Sequence, residues 1–422
     1  MENRIEPASK GMRLHIGLFG RRNAGKSSLL NALTRQEVSI VSEIAGTTTD
    51  PVEKPMELLP LGPVVFIDTA GIDDAGALGA KRMEKTEQCL DRVDLGLIVA
   101  AEAGWGEFEE KIREELTRRN VPVIAVFNKD DILNRSVAHS AFFSASGLKT
   151  VAVSALTKKD IPELRQAIID TAPADFLNAQ PLINDLVGPG EMAMLVVPID
   201  KEAPRGRLIL PQVQVLRDLL DAGAYAMVVR EHELKGALAR LAIPPKLVVT
   251  DSQAFAKVNA DTPRDIPLTG FSILFSRFRG NLITQVMGAL AIDRLKSGDR
   301  VLVAEACAHH PVEDDIGRVK IPRWIREYTG NALEFQTCQG HDFPSDLSGF
   351  KLAVLCGSCM QNRREVLNRI ETCCAAGVPV TNYGLAIAHS LGILERALSP
   401  FPTVLDAFRK AKHGQAANPA LA

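Results

Sequence analysis

Short apolar runs alternate with helical segments over the first part of the chain. Leu14–Phe19 is a mostly apolar run that predicts a buried strand, and residues 26–33 predict the helix that follows it. Further strands are predicted at residues 64–67, 95–99 and Val123–Phe127. Because strands and helices that alternate in this way build a mostly parallel sheet covered by helices, we expect an N-terminal α/β domain.

A second, smaller α/β block follows this domain. Its strands are predicted at residues 194–199, 224–229 and 246–249, with helices at 212–220 and 234–241 between them. Three strands make a small sheet that needs a partner surface. We therefore expect this block to pack against another part of the chain or another protein.

A third α/β block extends to the end of the chain. Its strands are predicted at residues 300–304, 332–337, Leu352–Leu355 and 378–381, and its long helices at 282–295 and 363–376. Proline-containing polar stretches at 171–175 and 261–267 resemble domain junctions. The pattern thus predicts three α/β domains, which span residues 1–172, 173–265 and 266–422.

Composition narrows the class of protein. The chain has 422 residues, 46% apolar and 24% charged, with a net charge of −2. This charge excludes a global basic field that would attract nucleic acid or anionic lipid, although not a local basic patch. No apolar run approaches the ~18 residues of a membrane span, and the first residues lack a secretory apolar segment. We expect a cytoplasmic protein with neither membrane nor nucleic acid as its partner.

A glycine-rich loop carries the first chemical signal. The residues from Gly20 to Ser27 read GRRNAGKS and match G-x-x-x-x-G-K-[ST] between a predicted strand and a predicted helix. Such a loop directs backbone N–H groups at a polyphosphate, the lysine adds positive charge, and the serine can bind Mg²⁺. The phosphate-site residues predicted here are Gly20, Asn23, Ala24, Gly25, Lys26, Ser27 and Ser28.

Four further segments follow this loop in the order of a guanine-nucleotide site. Asp68 and Gly71 lie in a D-T-A-G segment after a predicted strand, as a Walker B-type aspartate does. The residues GTTTD at 46–50 resemble a switch segment in which Thr48, or alternatively Thr47, would bind Mg²⁺. The remaining two segments would contact the base: they are Asn128, Lys129 and Asp131 in N-K-x-D, and Ser154 with Ala155 after residues 151–153.

These five segments resemble the TrmE–Era–EngA group of translation-factor-related GTPases over residues 13–170. The resemblance implies a P-loop NTPase fold that binds GTP or GDP with Mg²⁺ and hydrolyses GTP. Lys26, Ser27, Thr48, Asp68 and Gly71 would act at the phosphates. Ile72 replaces the glutamine that orients water in Ras-like proteins, so we expect hydrolysis to be slow or to rely on another group. Asn23 matches the asparagine of potassium-activated members, although it could also stabilise only its own turn.

The second chemical signal is a set of cysteines at predicted strand ends. Cys307 and His309 follow one strand, and Cys356 and Cys359 follow another in a C-x-x-C motif. Because parallel strands end on one edge of a sheet, these thiols can converge. The set fits an iron–sulfur cluster with three thiolates best, although a Cys₃His zinc site, a redox pair and unrelated buried cysteines remain alternatives.

Four cysteines remain of the seven in the chain. Cys89, Cys373 and Cys374 are expected to serve core packing. Cys338 lies near His341 at another strand end, where it could contact the cluster ligands.

A GTPase joined to a C-x-H and C-x-x-C domain resembles the HydF family, the maturation GTPases of iron-only (FeFe) hydrogenase. The resemblance implies a 4Fe–4S cluster and a di-iron cargo that is built with two radical SAM maturases and delivered to apo-hydrogenase. It also implies a homodimer formed through the middle domain. The family's histidine before the C-x-x-C motif is Leu355 here, which leaves His309 as the expected fourth ligand, with His310, His341 or water as alternatives.

Two other functions compete with this one. A ribosome- or tRNA-associated GTPase of the Era type would need a basic RNA-binding domain, and none is evident after residue 171. A regulatory GTPase would use the cysteines only to hold structural zinc. Metal analysis would separate this last function from the cluster carrier.

Overall fold

The computed structural model describes residues 10–34, 52–69, 88–101, 104–133, 147–177, 180–199, 208–306 and 315–413. The chain divides into two compact units, Met1–Ala179 and Gln180–Ala422. Each unit is an α/β structure with its own hydrophobic core.

The first unit contains a six-stranded sheet in the order β2-β3-β1-β4-β5-β6. Its strands are β1 Leu14–Phe19, β2 Val52–Leu58, β3 Gly62–Asp68, β4 Leu95–Ala100, β5 Val123–Phe127 and β6 Lys149–Ala152. The β2–β3 pair is antiparallel and every other pair is parallel. The parallel sheet predicted from the apolar runs is therefore confirmed.

The sequence pattern did not predict the two edge strands of this sheet. The β2 strand reads VEKPMEL, and its outer positions face solvent, so it has no continuous apolar run. The β6 strand is four residues long and buries only Val151 fully. Edge strands need little apolar surface, and hydropathy therefore identifies them poorly.

Helices cover the sheet of the first unit. Those described are α1 Lys26–Thr34, α2 Glu107–Arg118, α3 Asp130–Leu133, α4 Ile161–Thr171 and α5 Ala174–Leu177. The helix predicted at 26–33 is thus α1, which begins directly after the glycine-rich loop.

The second unit contains two four-stranded parallel sheets, in the orders β10-β9-β7-β8 and β12-β11-β13-β14. The strands are β7 Met192–Val196, β8 Tyr225–Val229, β9 Leu247–Thr250, β10 Leu268–Gly270, β11 Arg300–Glu305, β12 Glu334–Gln339, β13 Leu352–Leu355 and β14 Val380–Asn382. The prediction of three strands in the first of these sheets was wrong, because β10 adds a fourth.

The β10 strand lies beyond residue 265, where the sequence suggested a junction. One hydrophobic core extends from Leu182 to Phe408 and includes residues from both sheets. The division of this unit into two domains therefore stays a proposal.

The helices of the second unit pack on both sheets. They are α6 Leu210–Asp221, α7 Leu234–Leu238, α8 Phe255–Asp261, α9 Phe271–Arg279, α10 Leu282–Ala289, α11 Ile321–Thr329, α12 Arg363–Ala375, α13 Tyr383–Ser390, α14 Leu394–Ala397 and α15 Pro402–Lys412. The predicted helix at 282–295 is α10 followed by a 3₁₀ segment, Leu290–Arg294. Within the described ranges, no helix combines the length and apolarity needed to cross a membrane.

A glycine sets the closest packing in this unit. A Cβ atom on Gly288 of α10 would lie 1.9 Å from the carbonyl oxygen of Val380 in β14. Any larger residue would force the helix away from the sheet edge, so glycine is required here.

Candidate functional site

The glycine-rich loop lies between β1 and α1, as the sequence predicted. Gly20 and Gly25 have φ angles of +151° and +85°, which residues with side chains rarely adopt. A Cβ atom on Gly20 would lie 2.3 Å from the Val99 carbonyl oxygen, and one on Gly25 would lie 2.3 Å from Asn128 Nδ2. Both glycines are therefore required by the backbone conformation and by close neighbours.

Lys26 is buried within this loop. Its Nζ donates to the carbonyl oxygens of Gly20 at 2.7 Å and Arg21 at 3.0 Å. These contacts hold the ammonium group at the centre of the loop, close to where the loop would wrap a phosphate. Ala24 is also buried, whereas Asn23 and Ser28 are exposed.

An ion pair missed by sequence reasoning fixes the other end of the loop. Arg21 donates to Glu109 Oε2 of α2 at 3.0 Å, and the same oxygen accepts from the Gly106 N–H at 2.9 Å. Glu109 is almost fully buried. No local signal marks this pair, because its members are 88 residues apart in the chain.

Ser27 and Asp68 meet as the motif predicts. The Ser27 hydroxyl donates to Asp68 Oδ2 at 2.6 Å, where α1 begins and β3 ends. Burial raises the pKa of the Asp68 carboxyl, and the Ser27 hydrogen bond and the charges of Lys26 and Lys54 oppose that rise. An oxygen pair of this kind suits Mg²⁺, whose charge would favour the ionised carboxylate.

Asn128 joins the loop to the predicted base-binding segments. Its side chain donates to the Ala24 carbonyl oxygen at 3.0 Å and accepts from the Ala155 N–H at 3.0 Å. Ser154 is fully buried and its hydroxyl accepts from the Thr157 N–H at 3.1 Å. The three sequence segments that carry these residues are therefore brought together at one edge of the sheet.

Two neighbouring aspartates differ in their surroundings. Asp131 is exposed, whereas Asp130 is buried and forms an ion pair with Lys159 at 2.7 Å. Lys129, which precedes the two aspartates, has a φ of +65°. This conformation turns the chain sharply after β5. The turn and the ion pair leave the Asp131 carboxylate at the surface beside the base-binding segments.

Several predicted phosphate-site residues lie outside the described residues. These are Thr47, Thr48 and Gly71, together with Ile72. Their assignment therefore stays a prediction.

The C-x-x-C motif lies at the carboxyl edge of the second sheet of the second unit. The Cys356 N–H donates to Ala304 of β11, and its Sγ accepts from the N–H groups of Ala306 at 3.1 Å and Ser358 at 3.3 Å. N–H groups directed at sulfur stabilise thiolates in metal sites. Cys307 and His309 lie outside the described residues, so their convergence with Cys356 and Cys359 stays a prediction.

Burial disfavours the ionised form of both thiols of this motif. Burial raises the pKa of Cys356, and burial with the charge of Cys356 raises that of Cys359 to about 11. Arg279 opposes the shift of Cys359. Metal binding would release these protons, which is the usual linkage at thiolate sites.

A polar cluster missed by sequence reasoning borders the motif. Glu365 of α12 accepts from Gln361 at 2.7 Å and Arg369 at 3.0 Å, and its Oε1 lies 3.0 Å from His341 Nδ1. A carboxylate behind an imidazole is common at metal sites. Among the described residues, however, no three metal-ligating side chains come together.

The remaining cysteines have mixed surroundings. Cys89 and Cys373 are buried in hydrophobic clusters, as expected, whereas Cys374 is exposed. The expectation of core packing for Cys374 was therefore wrong, because it faces solvent on α12. Cys338 is half-buried at the end of β12, and burial raises its pKa to about 11.

We expect Asp68→Asn to reduce the pH dependence of stability in the metal-free protein. Because burial raises the pKa of Asp68, its contribution to stability is present below the ordinary carboxyl pKa of about 4 and is lost as pH rises through the higher folded-state value. Thermal melting in chelator from pH 4 to 7 would measure this effect. The control is Asp170→Asn, which changes an exposed aspartate of α4. If the melting temperature of Asp68→Asn changed with pH as much as that of the wild type does, the expectation would be contradicted.

Comparison with known proteins covers all three predicted blocks. The sequence profile of the 50S ribosome-binding GTPase family matches residues 15–129. The profile of the hydrogen maturase F dimerization domain matches residues 182–280, and that of the hydrogen maturase F tetramerization domain matches residues 283–400.

Two curated relatives each match about a third of this chain. GTPase Der of Wolinella succinogenes is 40% identical over 135 residues, which is 31% of this chain and 28% of Der. The tRNA modification GTPase MnmE of Leptospira interrogans is 40% identical over 158 residues, which is 36% of this chain and 33% of MnmE. The chain thus spans about a third of the length of these relatives.

Among solved structures, an Aquifex aeolicus Era variant bound to GDP and aluminium fluoride is 21% identical to this chain. The match covers 59% of this chain and 99% of the Era chain, with a TM-score of 0.35. This likeness is too weak to bear on function. The two hydrogen maturase F domains behind a GTPase domain show instead that the chain belongs to the HydF family, the GTPases of hydrogenase maturation.

Proposed function

We propose that this protein is a GTP-hydrolysing scaffold that holds a 4Fe–4S cluster, carries a di-iron precursor and delivers it to apo (FeFe) hydrogenase. The observation that carries the proposal is the C-x-x-C motif at a sheet edge, where two backbone N–H groups point at the Cys356 sulfur. Family membership supports the same role for the chain as a whole.

The first unit would bind GTP or GDP with Mg²⁺. The loop from Gly20 to Ser28 would surround the phosphates, with the Lys26 ammonium at its centre. Ser27 would bind Mg²⁺ directly, and Asp68 would hold the ion in place. The 2.6 Å hydrogen bond between Ser27 and Asp68 supports this pairing. Thr48, with Thr47 as the alternative, would complete the metal site, and the Gly71 N–H would meet the γ-phosphate.

Guanine would be recognised by the segments that Asn128 joins. The exposed Asp131 carboxylate would accept from the N1–H and exocyclic amine of guanine, which adenine does not offer. Lys129 would cover one face of the base, and the Ser154–Ala155 backbone would close its edge. The hydrogen bonds of Asn128 to Ala24 and Ala155 support this arrangement, because they fix phosphate and base segments relative to each other.

We expect Asp131→Ala to weaken GTP binding by about tenfold to a hundredfold. Hydrogen bonds to a charged group contribute ~1.5–3 kcal/mol, and each 1.4 kcal/mol is tenfold in affinity. Titration with a fluorescent GTP analogue would measure the change. Glu163→Ala removes an exposed carboxylate from the same unit and serves as the control. Equal GTP affinity in wild type and Asp131→Ala would exclude this base contact.

Hydrolysis would be slow and potassium-stimulated. Ile72 cannot orient water, and an ion held by Asn23 would offset charge in the transition state. Asn23 has a φ of +59°, which asparagine tolerates better than most residues, so the turn alone is a competing reason for its presence.

Asn23→Gly separates these two roles, because glycine keeps the turn and removes the side-chain oxygen. We expect the variant to lose the difference in GTP hydrolysis rate between potassium and sodium buffers while it still binds GTP. Phosphate release at equal ionic strength is the measurement. Potassium stimulation that survives in Asn23→Gly would assign Asn23 to the turn alone.

In the second unit, Cys307, Cys356 and Cys359 would hold the cluster, with His309 as the fourth ligand. Three thiolates and one exchangeable ligand would leave one iron able to capture and release cargo. The chain's own part is to place the sulfurs at one edge and to supply N–H donors to them. Cys356 lies at this edge, and its Sγ accepts from two backbone N–H groups.

We expect Cys307→Ala, Cys356→Ala and Cys359→Ala each to lose most iron after anaerobic reconstitution. His309→Ala should retain iron and change only the EPR spectrum, because its ligand is exchangeable. Cys374→Ala is the matched control, since Cys374 is exposed on α12. Iron retained by Cys356→Ala and Cys359→Ala would refute the ligand set, and stoichiometric zinc without iron would favour a structural zinc site.

Assembly and partners complete the proposal. The β8 strand is an edge strand, and its Tyr225 and Val228 are exposed, as is Leu220 of α6. These apolar side chains lie within the match to the dimerization domain and support a homodimer. The two radical SAM maturases and apo-hydrogenase would bind this assembly, and a cytoplasmic location stays a prediction.

A further inference from the structure

Arg279 lies behind the C-x-x-C motif as the last residue of α9. Its side chain is only 1% exposed. Nη1 donates to the carbonyl oxygens of Ser358 and Gln361, each at 2.6 Å. One guanidinium nitrogen therefore holds both ends of the turn that carries Cys359.

The charge of this guanidinium has no carboxylate partner among the ion pairs of the described residues. Nη2 donates to Gln214 of α6 at 3.3 Å, and the carbon of the group lies 5.1 Å from the Phe275 ring centre and 5.9 Å from that of Phe278. All these neighbours are neutral. A buried cation surrounded by neutral groups is unfavourable unless an anion lies near it.

Among the described residues, the titratable groups that interact with Arg279 are Cys359 and Cys356. Burial lowers the pKa of Arg279 to about 10, and the thiolate forms of Cys359 and Cys356 oppose that shift. Because Nη1 binds carbonyl oxygens on both sides of Cys359, an anionic ligand set at these sulfurs would lie close to the guanidinium and supply the missing counter-charge.

We propose that Arg279 is the positioning residue and counter-charge of the thiolate site formed by Cys356 and Cys359. It fixes the turn through the Ser358 and Gln361 carbonyl groups, and its charge stabilises an anionic iron–sulfur cluster there. The inference rests on the proposed cluster-binding function. It adds Arg279 to the residues of the cluster site, and the cysteine motif alone does not indicate this residue.

The turn that Arg279 holds needs such support. Ser358 has a φ of +50°, which is unusual for a residue with a side chain. In this conformation its N–H donates to Cys356 Sγ at 3.3 Å. The Arg279 hydrogen bond to the Ser358 carbonyl oxygen therefore favours the same geometry that directs an N–H group at the sulfur.

Three variants separate the charge of Arg279 from its hydrogen bonds. Arg279→Gln removes the charge, and Arg279→Lys keeps the charge but loses the planar fork. Arg277→Gln is the control, because Arg277 lies on the same helix and also faces a phenylalanine ring, at 5.1 Å, but pairs with Asp185. Each full-length protein is reconstituted anaerobically with iron and sulfide.

The readouts are iron retained against a chelator and the midpoint potential from an EPR-monitored redox titration. For Arg279→Gln we expect cluster affinity to fall by about 10- to 100-fold. We also expect a more negative midpoint potential, because reduction adds negative charge to the cluster and the variant lacks the cation that would stabilise it. Arg279→Lys should lose affinity but keep a wild-type potential. Arg277→Gln should match wild type in both.

Other outcomes would overturn the inference in distinguishable ways. Unchanged affinity and potential in Arg279→Gln would exclude both roles, and lost affinity with an unchanged potential would exclude the counter-charge. If Arg279→Gln does not fold, as judged by circular dichroism, wild-type cluster retention in Arg279→Lys would exclude the positioning role. A wild-type protein that takes up no iron would refute the proposed function together with this inference.

Discussion

Both candidate sites depend on one geometric constraint, which is that parallel strands end on the same edge of their sheet. In the first unit, β1, β3, β5 and β6 carry the phosphate loop, Asp68, Asn128 and the Ser154–Ala155 segment to one edge. In the second unit, β11, β12 and β13 carry Ala306, Cys338 and Cys356 to another. Side chains far apart in the chain become neighbours because the hydrogen-bond register of each sheet aligns the carboxyl ends of its strands along one edge.

The two edges differ in the charge that they are built to receive. The first combines the Lys26 ammonium and loop N–H groups with the Ser27–Asp68 oxygen pair, which suits an anionic nucleotide with a hard cation. The second combines partly buried thiols with N–H donors and a buried arginine, which suits soft metal ions. If the proposed cluster binds, a single α/β architecture would support two unrelated chemistries through its loops.

Burial acts on the ionisable groups of both candidate sites. It raises the pKa of Asp68 in the first unit and of Cys356 and Cys359 in the second. Each group is therefore costly to ionise without a nearby cation, and a cation that bound at either site would couple its binding to proton release. Fixed contacts offset part of that cost, and these are the Ser27 hydroxyl at Asp68 and the Ser358 and Ala306 N–H groups at Cys356.

The sequence by itself determined the α/β class, the phosphate loop, the N-K-x-D segment and the family, because each is a local pattern of residue types at fixed spacing. It missed β2, β6 and β10, which have little or no continuous apolar run, and it placed Cys374 in the core. Only the tertiary structure revealed the contacts of Arg21 with Glu109, of Glu365 with His341, and of Arg279 with the Ser358 and Gln361 carbonyl groups. These contacts join residues 24 to 88 positions apart, and no local pattern encodes them because packing of separate elements decides which polar groups are buried together.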